Sequence, residues 1–125
     1  MITNVEHIGI AVKNLDSAEE LYSKLFNIQS YKRETISAES VNTSFFKINQ
    51  TKIELLEATD PDSIISKFIE KKGEGFHHIA FEVDDILAEM ARLKDEGFIL
   101  LNETPKPGAD YKLVCFLIQK ALMAC

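Results

Sequence analysis

Residues 6–12 (EHIGIAV) and residues 77–83 (HHIAFEV) are two copies of one short pattern, and this repeat decides the fold. In each copy a histidine, His7 or His78, precedes a run of apolar and β-branched residues, which predicts a mostly buried strand. An amphipathic helix is predicted after each copy. Repeats of this kind indicate duplicated modules that pack against each other. The sequence therefore predicts two related units of mixed strand and helix.

The first unit continues with a helix and three strands. Apolar residues recur at helical spacing from Ala18 to Phe26, and strands are predicted at residues 30–36, 41–48 and 51–56. The segment Asp60-Pro61-Asp62-Ser63 then predicts the start of a linking helix, with Pro61 as an early helical residue.

The second unit is shorter. After its helix, which is expected to end near Gly97, strands are predicted at residues 98–101 and 113–117. The proline-containing segment 104–108 between them is expected to be a loop. This unit therefore has one strand fewer than the first.

Length, charge and cysteine content restrict the class of protein. The chain has 125 residues, which suits one domain, and a net charge of −6, which disfavours nucleic-acid partners. It has neither an apolar run long enough to span a membrane nor a signal-like start, which predicts a cytoplasmic protein without a membrane partner. Its two cysteines, Cys115 and Cys125, do not indicate a disulfide framework.

The repeated histidines predict a metal site. His7 and His78 occupy equivalent points of the two copies, so related modules could bring the two imidazoles together, and Glu54, in an apolar strand, is the candidate carboxylate ligand. The alternatives are hydrogen-bonded histidines without a metal, and a Glu54 exposed on an edge strand beside Lys52. We expect His77 to be non-ligating, because strand alternation points it away from His78.

Four segments resemble one family closely. They are residues 7–12 (HIGIAV), 51–57 (TKIELLE), 73–86 (GEGFHHIAFEVDDI) and 106–109 (KPGA), and the resemblance covers about residues 4–117. They are similar to the methylmalonyl-CoA epimerases, a branch of the vicinal-oxygen-chelate superfamily that also contains glyoxalase I and the bleomycin-resistance proteins. The string in residues 77–86 is specific for the epimerase-like branch.

This resemblance implies an α+β fold in which two βαβββ modules form an open mixed-sheet cup, as in glyoxalase. The chain would be a single domain, residues 1–125, with a first module at 4–60, a linking helix at 61–74 and a second module at 75–125 whose last strand is missing or altered. The resemblance also implies a homodimer.

The resemblance implies a site and a reaction as well. His7, Glu54 and His78 fall on ligands of one divalent metal ion (Zn, Co, Ni or Mn), and Glu54 is the candidate catalytic carboxylate. The implied activity is metal-dependent proton abstraction and return alpha to the thioester of an acyl-CoA substrate. The alternatives are a glyoxalase I-type lactoylglutathione lyase, acting on a glutathione adduct, and a metal-free binding or resistance protein.

The C-terminus departs from the family pattern. The family ends in a strand that resembles H-P-K-S-x-x-G-V-L-I-E-L and supplies a further glutamate ligand, whereas residues 118–125 read IQKALMAC. A codon string for H-P-K-S-T-N-G-V-L-I that loses its first base encodes this ending followed by a stop codon. We therefore expect that a single-base deletion replaced the last strand. Resequencing the coding DNA tests this, and an intact frame with unrelated codons would contradict it.

Overall fold

The computed structural model describes residues 1–108 and 112–117, and the replaced strand expected at residues 118–125 lies outside them. The described chain mixes strands and helices, so the predicted α+β class is confirmed. The strands are β1 Ile2–Ala11, β2 Lys32–Ile36, β3 Val41–Ile48, β4 Thr51–Ala58, β5 Gly75–Val83, β6 Lys106–Pro107 and β7 Leu113–Val114. The helices are α1 Leu15–Phe26, α2 Ile64–Lys72 and α3 Ile86–Asp95, and a 3-10 turn covers Ser37–Glu39.

Five strands form one mixed sheet in the order β2-β3-β4-β1-β5. Strands β2, β3 and β4 form an antiparallel meander, and β1 runs parallel to β4. The two copies of the repeated pattern are therefore neighbours, because β1 lies between β4 and β5. The chain divides into two compact units, residues 4–81 and residues 1–3 with 82–125, and the module boundaries expected from the sequence stay a prediction.

The larger unit buries apolar side chains on both faces of its sheet. On one face, Ile10, Phe46 and Leu55 are buried with residues of α1. On the other face, Ala11 and Leu56 pack with residues of α2. Successive side chains of a strand point to opposite faces. Positions 7 and 9 of β1 and position 54 of β4 therefore lie on the face that α2 shares.

Side-chain caps set the helix starts. Asn14 accepts a hydrogen bond from the Ser17 backbone N–H at the start of α1, and Ser63 accepts one from the Ile65 N–H at the start of α2. Because α2 begins at Ile64, the expectation that Pro61 lies inside the linking helix is wrong. Pro61 instead belongs to the turn that leads to the Ser63 cap.

In the compact unit that includes residues 82–125, the observed strands differ from those that the sequence predicted. The segment 98–101 contributes one isolated bridge, Leu100 to Leu117, and the predicted loop 104–108 contains β6, which pairs antiparallel with β7. The backbone N–H of Gly108 donates to the Lys112 carbonyl at 2.7 Å, which holds this pairing together. Proline in β6 is tolerated because a two-stranded ribbon leaves an outer edge where no N–H is needed. No helix in the described residues is long and apolar enough to cross a membrane.

Candidate metal centre

Three adjacent strands bring together the three residues that the sequence singled out. His7 lies on the central strand β1, Glu54 on β4 and His78 on β5. The register pairs Gly9 with Glu54, which places the carboxylate two positions along from His7 on the same face. One nitrogen or oxygen atom from each of the three side chains lies within 4.8 Å of the others.

The two imidazoles meet edge to face. Their Nε2 atoms are 3.0 Å apart, the ring centroids are 5.0 Å apart and the ring planes are at 89°. Glu54 Oε2 lies 3.3 Å from His7 Nδ1. Glu54 is only 7% exposed, so the alternative of an exposed edge-strand carboxylate is wrong.

Gly9 makes room for the His78 ring. A Cβ atom at position 9 would lie 2.3 Å from His78 Cε1 and 2.6 Å from its Nδ1, far inside van der Waals contact. The imidazole therefore packs directly against the β1 backbone. The sequence analysis assigned no role to this residue, although a glycine inside a strand often marks the close approach of another group.

The residue before each histidine contacts that histidine. Glu6 Oε1 lies 3.0 Å from His7 Nδ1, and His77 Nδ1 lies 2.9 Å from His78 Nδ1. The expectation that His77 points away from His78 is wrong. The His77 ring also packs edge to face on Phe68 of α2, with the centroids 4.8 Å apart.

Burial keeps the His78 imidazole, which lies between His7 and His77, neutral. Desolvation, reinforced by repulsion from His7 and His77, lowers the pKa of His78 to about 4. Burial also lowers the pKa of His77. A neutral imidazole retains a lone pair, which is the form that binds a metal ion.

The residues present fit a divalent metal ion. Two imidazoles and one carboxylate are a common donor set for Zn²⁺ and neighbouring divalent ions. Two nitrogen ligands at the usual bond length of a tetrahedral zinc ion lie about 3.3 Å apart, close to the observed 3.0 Å between the Nε2 atoms of His7 and His78. Buried Glu54 supplies one negative charge, which would offset part of the charge of a divalent cation.

Known proteins share this sequence and this fold. The family model of the Glyoxalase/Bleomycin resistance protein/Dioxygenase superfamily matches residues 6–116. The ethylmalonyl-CoA/methylmalonyl-CoA epimerase of Cereibacter sphaeroides is 37% identical over 127 residues, which cover 100% of this chain and 95% of the relative. The uncharacterized protein YqjC of Bacillus subtilis is 34% identical over 116 residues, which cover 93% of this chain and 83% of the relative.

A solved structure extends the likeness to three dimensions. The Streptomyces coelicolor methylmalonyl-CoA epimerase in complex with 2-nitronate-propionyl-CoA is 32% identical and superposes with a TM-score of 0.90, over 98% of this chain and 90% of that one. The fold is therefore the glyoxalase-like fold that the sequence predicted. The chain belongs to the methylmalonyl-CoA epimerase family of the Glyoxalase/Bleomycin resistance protein/Dioxygenase superfamily.

Proposed function

We propose that this protein is a metal-dependent epimerase that removes the α-proton from one face of a 2-carboxyacyl-CoA thioester of the methylmalonyl-CoA type and returns a proton to the opposite face of the same carbon. The single observation that carries the proposal is the convergence of His7, Glu54 and His78, with ligand atoms within 4.8 Å. The epimerase relatives support the choice of substrate class over the lactoylglutathione alternative.

The proposed reaction needs a stabilised negative charge on the substrate. Removing a proton from a carbon between a thioester and a carboxylate leaves negative charge on the thioester oxygen. A bound divalent ion supplies Lewis-acid stabilisation of that charge. His7 and His78 would hold the ion through neutral nitrogens, and the ion would therefore keep a net positive charge toward the substrate.

Glu54 has two proposed tasks. Its buried carboxylate would bind the metal ion, and it is also the proposed group that accepts the α-proton on one face of the carbon. A second group must donate a proton to the opposite face, and exchange of hydrogens on these groups with solvent is what introduces deuterium into the substrate.

Deuterium exchange tests the activity directly. The Zn²⁺-reconstituted protein is incubated with methylmalonyl-CoA in D₂O, and loss of the α-proton is followed by NMR, with lactoylglutathione formation from the glutathione hemithioacetal as the parallel assay. We expect exchange only with the CoA thioester, and a loss of about 10²–10⁴-fold in Glu54→Gln. The matched control is Glu20→Gln, an exposed glutamate on α1 that pairs with Lys24. Lactoylglutathione formation without exchange would overturn the proposal.

We also propose a homodimer. Phe76, Ile79 and Phe81 are exposed apolar residues on β5, which is the outermost strand of the described five-stranded sheet. Burial of these exposed side chains between two copies would remove apolar area from water. Light scattering distinguishes a dimer from a protomer of 14.1 kDa, and a monomer at all concentrations would contradict the proposal.

A further inference from the structure

The two copies of the repeat share a contact that lies outside the three proposed ligands. In each copy the side chain just before the histidine meets the Nδ1 atom of that histidine. The distance is 3.0 Å from Glu6 Oε1 to His7 Nδ1 and 2.9 Å from His77 Nδ1 to His78 Nδ1. The Glu6 carboxylate therefore has the same position relative to His7 as the His77 imidazole has relative to His78.

These contacts leave one nitrogen of each ring for the centre of the site. With both Nδ1 atoms engaged, the two Nε2 atoms face each other at 3.0 Å. Two carboxylates lie beside His7 Nδ1, with Glu6 Oε1 at 3.0 Å and Glu54 Oε2 at 3.3 Å. An ionised carboxylate only accepts hydrogen bonds, so this Nδ1 atom must carry the hydrogen, and Glu6 is its nearer acceptor. A neutral His7 with its hydrogen on Nδ1 has its lone pair on Nε2, the atom that faces His78.

We propose that Glu6 and His77 are positioning residues that accept the Nδ1–H groups of His7 and His78 and so present both Nε2 atoms to a single divalent cation. This inference rests on the metal site of the proposed function. Metal-binding histidines commonly donate their second ring N–H to a neighbouring acceptor, which fixes the ring orientation and raises the basicity of the ligand nitrogen.

Each positioning residue is itself held in place. The second oxygen of Glu6, Oε2, lies 3.4 Å from Lys52 Nζ, and the side chains of both residues are largely buried. The His77 ring packs at 88° against the Phe68 ring of α2. Side chains fixed in this way lose little further freedom when the metal binds, so they can define the orientation of the ligands.

The proposal also defines where the hydrogens lie in the metal-bound protein. When His78 binds through Nε2, its hydrogen sits on Nδ1 and is donated to Nδ1 of His77. The hydrogen of neutral His77 then sits on its own Nε2. His7, His77 and His78 thus have one defined tautomer each, which long-range ¹H–¹⁵N NMR correlations report without substrate.

The test compares variants that keep or remove the acceptor. His77→Phe keeps the aromatic contact with Phe68 and removes the acceptor, whereas His77→Asn supplies an amide oxygen near the position of Nδ1. Glu6→Leu and Glu6→Gln form the equivalent pair. Zn²⁺ affinity is measured by competition with a chromophoric chelator. We expect His77→Phe and Glu6→Leu to weaken Zn²⁺ binding about 10- to 100-fold, and the Asn and Gln variants to restore most of it.

The ¹⁵N spectrum of the Zn²⁺-bound wild-type protein requires no variant to fold. Coordination of either His7 or His78 through Nδ1 would overturn the inference, as would failure of the wild-type protein to bind Zn²⁺ or wild-type affinity in both His77→Phe and Glu6→Leu. Failure of the proposed function has a different signature, because the protein would then bind Zn²⁺ through Nε2 and yet exchange no α-proton of methylmalonyl-CoA.

Discussion

Substitution of Gly9 by alanine should displace the His78 ring from the metal centre. The added Cβ would lie 2.3 Å from His78 Cε1, whereas carbon atoms in contact are about 3.5 Å apart, so the ring must move by about 1.2 Å. Such a movement disrupts the 3.0 Å spacing between the Nε2 atoms of His78 and His7, and ligand geometry tolerates only about 0.5 Å. We expect Zn²⁺ affinity to fall at least about 10-fold and the free energy of unfolding to fall by about 1–3 kcal/mol.

A double-mutant cycle separates this clash from any general effect on the strand. The φ angle of Gly9 is not positive, so alanine fits the backbone and in a strand is favoured over glycine by about 0.5–1 kcal/mol. In the His78→Ala background Gly9→Ala should therefore be neutral or stabilising, which gives a coupling free energy of about 1–4 kcal/mol between the two positions. Urea denaturation of the four proteins measures it. An equal cost of Gly9→Ala in both backgrounds, or unchanged Zn²⁺ affinity in the single variant, would refute the reasoning.

Three further predictions concern other parts of the chain. Ser44 is fully buried and donates to Glu19, so Ser44→Ala should lower the free energy of unfolding by about 1–3 kcal/mol in urea denaturation, and an unchanged midpoint would contradict this. Arg33 and then Ser44 lower the pKa of Glu19 below its ordinary value of 4.5, so its contribution to stability is present above pH 4.5 and is lost as the pH falls through the lowered pKa. Thermal unfolding should therefore show a smaller loss of stability on acidification in Glu19→Gln than in the wild-type protein, and parallel curves would count against the assignment. Replacement of residues 118–125 by H-P-K-S-T-N-G-V-L-I-E-L should tighten Zn²⁺ binding in the chelator competition assay, because the glutamate of this family ending is expected to be a further ligand, and equal affinity would argue against that ligand role.

The sequence was sufficient to predict the elements that carry the proposed ligands. Strand β4, which carries Glu54, begins at the predicted Thr51 and extends two residues beyond the predicted end at Leu56. Strand β5, which carries His78, ends at the predicted Val83. The repeat predicted that His7 and His78 would meet, because equivalent positions of related modules lie on equivalent strands. The structure places these residues on the neighbouring strands β1 and β5.

Features that depend on distant packing could not be predicted in the same way. Strand alternation predicted that His77 points away from His78, whereas in the structure its ring lies beside both His78 and Phe68 of α2. The role of Gly9 depends on an imidazole from a strand far along the chain. Similarly, β6 pairs with β7 beside a hydrogen bond from the Gly108 N–H to the Lys112 carbonyl, a contact that the local preference of its prolines does not reveal.

Strand β5 lies at the end of the described five-stranded sheet, so the strands that carry the three proposed ligands are not held equally firmly. His7 and Glu54 stand on strands with a neighbour on each side, whereas His78 stands on a strand paired with β1 alone among the described strands. Fraying of that strand would release one ligand and leave a half-site intact. A bound cation would oppose this fraying, because its ligands come from all three strands. Amide hydrogen exchange in β5 should therefore be slower in the metal-bound protein than in the metal-free protein.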